Sequence, residues 1–103
     1  MATALALPAE LTIYTVAELR TAWLAWLGEA LAGADPDEPL AADASAVDQV
    51  DTAGVQLLLS LANALGRQGH RLRLHQPSGP LAQACQLLGV APQLLGATPE
   101  RTA

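Results

Sequence analysis

Apolar residues recur along this chain with two spacings, every second residue and every third or fourth, and the switches between them mark out its elements. Over residues 3–14, TALALPAELTIY, Leu5 and Leu7 alternate before Pro8, and Leu11 and Ile13 alternate after it. This predicts two short strands, either a hairpin or two sheet edges. Thr15-Val16-Ala17-Glu18 then matches a capping box, with Thr15 as N-cap, Glu18 reaching back, and Tyr14 and Leu19 placed as a hydrophobic staple. The helix that follows carries Val16, Leu19, Trp23, Trp26, Leu27, Ala30 and Leu31 at helical spacing and stops near Gly28 or Gly33. Residues 33–39, GADPDEP, read as a solvated loop and the most mobile internal segment.

Residues 40–44, LAADA, form a short buried strand of small residues, with Asp43 near its end requiring a hydrogen bond or an edge position. A turn over SAVDQVD leads into a second helix, TAGVQLLLSLANALGRQG. Its apolar arc of Val55, Leu58, Leu59, Ala62 and Leu65, widened by Leu57 and Leu61, suits packing on a sheet, and Gly66 or Gly69 ends it. In HRLRLHQP, Leu72 and Leu74 alternate with Arg71, Arg73 and His75, the pattern of a half-buried strand. Ser78 or Gly79 caps a last helix with Pro80 in its first turn, running through Leu81, Ala84, Cys85 and Leu88 to Gly89. The order is strand, strand, helix, strand, helix, strand, helix. It predicts an α/β fold, a mixed four-stranded sheet with three or more helices largely on one face. The 103 residues suit a single domain with its core over 3–95 and a frayed tail over 96–103.

Composition narrows the chemistry. Hydrophobic residues make up 51% of the chain and aromatic residues 3%, with no Phe, so the core is built from Leu, Ala and Val. The net charge of −5 and the absence of Lys argue against nucleic-acid binding, which needs clustered cations. Three of the five arginines fall between 67 and 73, the pattern of a solvated strand face. The single Cys85 precludes an internal disulfide, and the N-terminus lacks the form of a secretory signal, which together favour a cytoplasmic setting. Apolar runs are broken well short of the roughly 20 residues that span a bilayer, so no membrane insertion is expected.

Catalytic and metal chemistry find little support. His70 and His75 lack ligands at metal spacing, and Cys85 lies on an apolar stripe with Leu81 and Leu88 as an inert buried thiol. Ser45, Ser60 and Ser78 sit in no nucleophile elbow. No metal, cofactor or enzymatic activity is expected. Trp23 is expected in the core, and Trp26 either in the core or at an interface.

The stretch LAADASAVDQVDTAGVQLLLSL resembles the central motif of STAS domains, a resemblance extending over roughly residues 3–95. Asp43 and Ser45 stand where that family ends a strand in Asp-Leu-Ser, and Asp51-Thr52-Ala53-Gly54 stands where it shows Asp-Ser-Ser-Gly. The resemblance implies a non-enzymatic protein-binding module. In the anti-sigma-factor antagonists of the family a phosphorylated Ser precedes the Gly; here that position is Ala53, so Thr52 becomes the phosphorylation candidate. The implied partner is then an anti-sigma serine kinase or another signalling protein. Asp-Thr-small-Gly is also similar to the small STAS subunit of bacterial lipid-transport ABC complexes and to chemotaxis-associated STAS proteins, which implies an ABC ATPase or a chemotaxis protein as partner instead. The partner-binding residues expected on this basis are Asp48, Asp51, Thr52, Ala53, Gly54 and Gln56. Asp51 or Thr52 also serves as the helix cap, and Gly54 suits close packing at the helix start.

Overall fold

The computed structural model describes residues 4–33, 35 and 38–95. Along the chain they form β1 (Leu5–Ala6), β2 (Glu10–Leu11), α1 (Val16–Gly33), β3 (Leu40–Asp43), β4 (Gln49–Val50), α2 (Thr52–Arg67), β5 (Leu72–His75), α3 (Gly79–Leu87) and α4 (Ala91–Leu95). Of the loop expected over 33–39, residues 34, 36 and 37 lie outside the described residues, as does the tail expected over 96–103.

The α/β class holds, but the sheet is not the mixed four-stranded one expected. β1, β3 and β5 form one parallel ladder in the order β1-β3-β5, and β2 and β4 form a second parallel pair. Of the two arrangements expected for the opening strands, the hairpin does not form; β1 and β2 are edge strands of the two separate sheets, joined in one extended run. β1 and β2 follow β3 and β4 in turn, with the Leu7 N–H bonded to the Asp43 carbonyl (3.0 Å) and the Ala9 carbonyl accepting from Asp48 (2.8 Å) and Gln49 (2.9 Å). The physical reason lies at Pro8-Ala9: the proline has no N–H to donate, which interrupts the ladder, and neither residue favours the left-handed dihedrals that a tight hairpin turn needs. β4, expected as part of a turn, is the strand that the second half of this run pairs with.

Register separates the two faces of the larger sheet. Leu5, Ala42 and Leu74 lie side by side and are buried, whereas Ala6, Asp43 and His75 make the next row and are exposed. Helical residues Trp23, Ala30, Val55, Leu58, Leu61, Leu65, Leu81, Cys85 and Leu94 join the buried row in one core. α2 ends in a Schellman motif: Gly69 takes φ +81°, its N–H reaches the Gly66 carbonyl (3.1 Å), and the His70 N–H reaches the Leu65 carbonyl (2.9 Å). α3 opens on Ser78, whose hydroxyl accepts from the Leu81 N–H at 3.2 Å, with Pro80 in the first turn as expected.

The start of α1 departs from the capping box. Instead of capping the helix, the Thr15 hydroxyl donates to the carbonyls of Glu10 (3.2 Å) and Thr12 (3.1 Å) and receives the Thr12 N–H (3.1 Å). Tyr14 is 87% exposed and staples nothing. The turn is held from the other side by Thr12, which is buried, donates its hydroxyl to Glu10 (2.8 Å) and receives the Tyr14 N–H (3.2 Å). Two short hydroxyls within one turn offer the backbone better-placed local bonds than a capping box does.

Candidate functional site at the start of α2

Asp51 organises this corner of the molecule. Its backbone is extended (φ −129°, ψ −175°), and one carboxylate oxygen accepts the Gly54 N–H at 3.0 Å, making Asp51 the N-cap of α2. The other oxygen accepts the Ile13 N–H at 2.9 Å, tying the β2–α1 turn to the α2 start across 38 residues of sequence. The Asp51 N–H in turn donates to the Leu11 carbonyl at 3.2 Å. The Ile13 N–H first, then those of Gly54 and Ala53, hold the Asp51 carboxyl below the ordinary aspartate range.

Gly54 lies in the first turn, pressed against β2. A Cβ built there meets the Leu11 backbone, its carbonyl carbon at 2.7 Å, and the Leu11 Cγ at 2.8 Å, with the carbonyl oxygen nearer still. The close packing expected of this glycine is therefore real, and its neighbour is the fully buried Leu11.

The six residues expected to bind a partner divide by role. Asp51 and Gly54 spend their groups on the fold. Thr52 is the first residue of α2 and is exposed, and among the described residues its hydroxyl has no partner. Asp48 is exposed just before β4, while Gln56 is exposed and Ala53 half-buried one turn apart on α2. The carboxylate of Asp43, at the end of β3, is satisfied by the Ser45 N–H (3.0 Å) and hydroxyl (2.7 Å), which lower its pKa with a smaller contribution from His75.

Beside this corner the structure adds residues to which the sequence pattern assigns other roles. Ile13, bonded to Asp51 through its N–H, is 60% exposed, and Tyr14 follows it. Its alternation with Leu11 places Ile13 in a strand, and only the bond of its N–H to Asp51 reveals it as part of the α2 corner. From there a groove of about 530 Å³ runs between α1 and α2, and Ala53 and Gln56 line it together with Leu24, Leu57 and Ser60. Trp23 lies in the core and Trp26 is half-buried. Cys85 is fully buried, and burial pushes its thiol pKa up. Among the described residues no three His, Cys, Asp or Glu side chains are grouped to hold a metal ion, and no helix is long and apolar enough to cross a membrane.

No curated protein matches the chain. The family model described as "Mlab, STAS domain" matches residues 1–96, which takes in every element above. The chain belongs to the STAS domain family.

Proposed function

We propose that this STAS domain is a non-enzymatic module that binds a protein partner through the α2 start, with Thr52 as a contact and Asp48, Ala53, Gln56, Ile13 and Tyr14 around it. The observation that carries the reading is the division of labour at the motif. Asp51 and Gly54 fix the corner, and Thr52 is left exposed with its hydroxyl uncommitted among the described residues. A hydroxyl so placed gives or takes one hydrogen bond across an interface without any cost to the fold.

The partner that fits best is the ATPase of a lipid-transport ABC complex, bound constitutively in the cytoplasm. Two features support this. The family description carries the name Mlab, and Asp51-Thr52-Ala53-Gly54 is similar to the small STAS subunit of such complexes. In addition, the Gly54 N–H at the α2 start is taken by the Asp51 carboxylate, and the Ala53 N–H lies close enough to help lower that carboxyl's pKa. A phosphate on Thr52 would meet an ionised carboxylate there in place of free N–H groups. Thr52→Ala should weaken co-purification of the ATPase by roughly 5- to 150-fold, the equivalent of about 1–3 kcal/mol for an interface hydrogen bond whose partner is left unsatisfied. Full binding and full lipid transport by the variant would overturn the contact.

The exposure of Thr52 also favours a second reading, an anti-sigma-factor antagonist or signalling relative switched by phosphorylation at that hydroxyl. Incubation with an anti-sigma serine kinase and ATP would then give a mass shift mapped to Thr52. Modification elsewhere, or none, removes the switch.

A further inference from the structure

The groove between α1 and α2 is lined by one helical stripe from each side. Val16, Ala17, Arg20, Trp23, Leu24 and Leu27 come from α1; Ala53, Gln56, Leu57, Ser60, Ala64 and Arg67 are among those from α2. Both stripes repeat at three- and four-residue steps, the spacing by which a helix presents one face to another helix. The two helices begin at the same corner, joined by the bond from Asp51 to Ile13, so the stripes start side by side. The α2 stripe from Ala53 to Arg67 is roughly 20 Å long at 1.5 Å per residue, the length of about four helical turns. α1 is also less covered than its sequence warrants: only Trp23 and Ala30 are buried, and Leu24 remains 52% exposed.

Charge indicates what fits. Arg20 and Arg67 are the only charged residues lining the groove, and among the described residues neither is held in an ion pair. Arg67, in the last turn of α2, gains from the helix dipole, but Arg20, one turn into α1, stands at the end where a cation gains nothing. The groove is thus cationic at two places on a chain whose net charge is −5.

We infer that the groove receives an amphipathic helix of the partner protein, whose apolar stripe lies between α1 and α2 and whose acidic residues meet Arg20 and Arg67. The inference rests on the partner-binding reading above and adds the chemistry of the bound segment. Small side chains at Ala53, Ser60 and Ala64 leave room for the incoming helix to come close, and Leu24 and Leu57 supply the apolar contact. The partner thereby covers the exposed stripe of α1 and neutralises two cations in one step.

The test uses the full chain, isotope-labelled for NMR, and two synthetic helical peptides of about four turns with the same leucine stripe. One peptide carries Glu and the other Lys at the flanking positions. The acidic peptide should bind at least about tenfold more tightly, against the repulsion expected from the net charge of the chain, and should shift Leu24, Leu57, Ser60 and Ala64. The double variant Arg20→Gln, Arg67→Gln, which removes no buried contact, should abolish the preference, and Thr52→Ala should leave it intact. Equal binding of the two peptides, shifts confined to other surfaces, or a concentration-dependent dimer that already fills the groove would each overturn the inference. If the peptides fail while Thr52→Ala still weakens partner binding, the groove is ruled out and the α2-start interface stands; if Thr52→Ala has no effect while the acidic peptide fills the groove, the reverse holds.

Discussion

Replacing Gly54 by Ala adds a single methyl group in the first turn of α2, and the structure gives that methyl no room. Its carbon would lie 2.7 Å from the Leu11 carbonyl carbon and 2.8 Å from Leu11 Cγ, where unstrained carbon contacts sit at about 3.5–4.0 Å. Relief requires about 1 Å of movement, and each route to it breaks something. Shifting β2 disturbs the Leu11–Val50 pairing and the packing of the fully buried Leu11, and lifting the α2 start breaks the Asp51 N–H bond to the Leu11 carbonyl and stretches the bond from Asp51 to Ile13. Overpacking of this kind costs about 1–3 kcal/mol, while exchanging Gly for Ala in a helix returns up to about 1 kcal/mol. A net loss of about 1–2 kcal/mol lowers the Tm of a domain of this size by roughly 4–16 °C. The internal controls are Gly28→Ala in α1 and Gly66→Ala in α2, since a Cβ at either meets nothing within 4 Å. Both should hold or raise the Tm. Thermal unfolding followed by far-ultraviolet circular dichroism distinguishes the three variants, and a Gly54→Ala protein as stable as Gly66→Ala would refute the close approach of α2 to β2.

The remaining predictions concern charge, thiol chemistry and the motif hydroxyl. The folded-state pKa of Asp51 is depressed, chiefly by the Ile13 N–H and then the Gly54 N–H, so its contribution to stability is complete above the ordinary aspartate value of about 4 and is lost as pH falls through the lower folded value. In an NMR titration the amide signals of Ile13 and Gly54 should move together below that ordinary value and stay flat in Asp51→Asn; a midpoint at or above it would contradict the bonding. Cys85, fully buried with its thiol pKa raised, should react with an aromatic disulfide reagent roughly a hundredfold more slowly than in denaturant. Reaction at the free-thiol rate would place it at the surface. Thr52→Ala should change stability by no more than about 0.5 kcal/mol in the same melts, because its exposed hydroxyl has no partner among the described residues.

The elements that were legible in the sequence are those specified by many residues at once. α2 has its cap, its apolar arc and its terminal glycines within one continuous stretch, and β5 alternates over four residues bounded by turns, so local pattern was enough for both. β1, β2 and β4 have two residues each, too few to carry a pairing preference, and their partners are chosen by where the crossovers return the chain. The capping box at Thr15 failed for a related reason: the pattern was present, but Thr12 and Glu10 competed for the same hydroxyl. At the site, the sequence indicated that Gly54 packs closely but not against what, because Leu11 is 43 positions away and no local spacing links them. The groove was hidden more deeply, since its stripes flank the apolar arcs of α1 and α2 and mix small, apolar and polar residues such as Arg20, Gln56 and Ser60, which share a surface only once the helices are set side by side.

Setting them side by side also explains why the motif tolerates Ala53. With Asp51 capping the helix and Gly54 pressed on Leu11, the position between Thr52 and Gly54 is half-buried at the head of the groove, where a small apolar side chain continues the lining begun by Val16 and Ala17. A hydroxyl or phosphate there would put a polar group at the entrance to an apolar channel, whereas the same group one residue earlier points to solvent beside it. The motif thus separates its tasks along four consecutive residues: Asp51 and Gly54 hold the corner, Ala53 extends the apolar wall, and Thr52 carries an exposed hydroxyl that has no partner among the described residues.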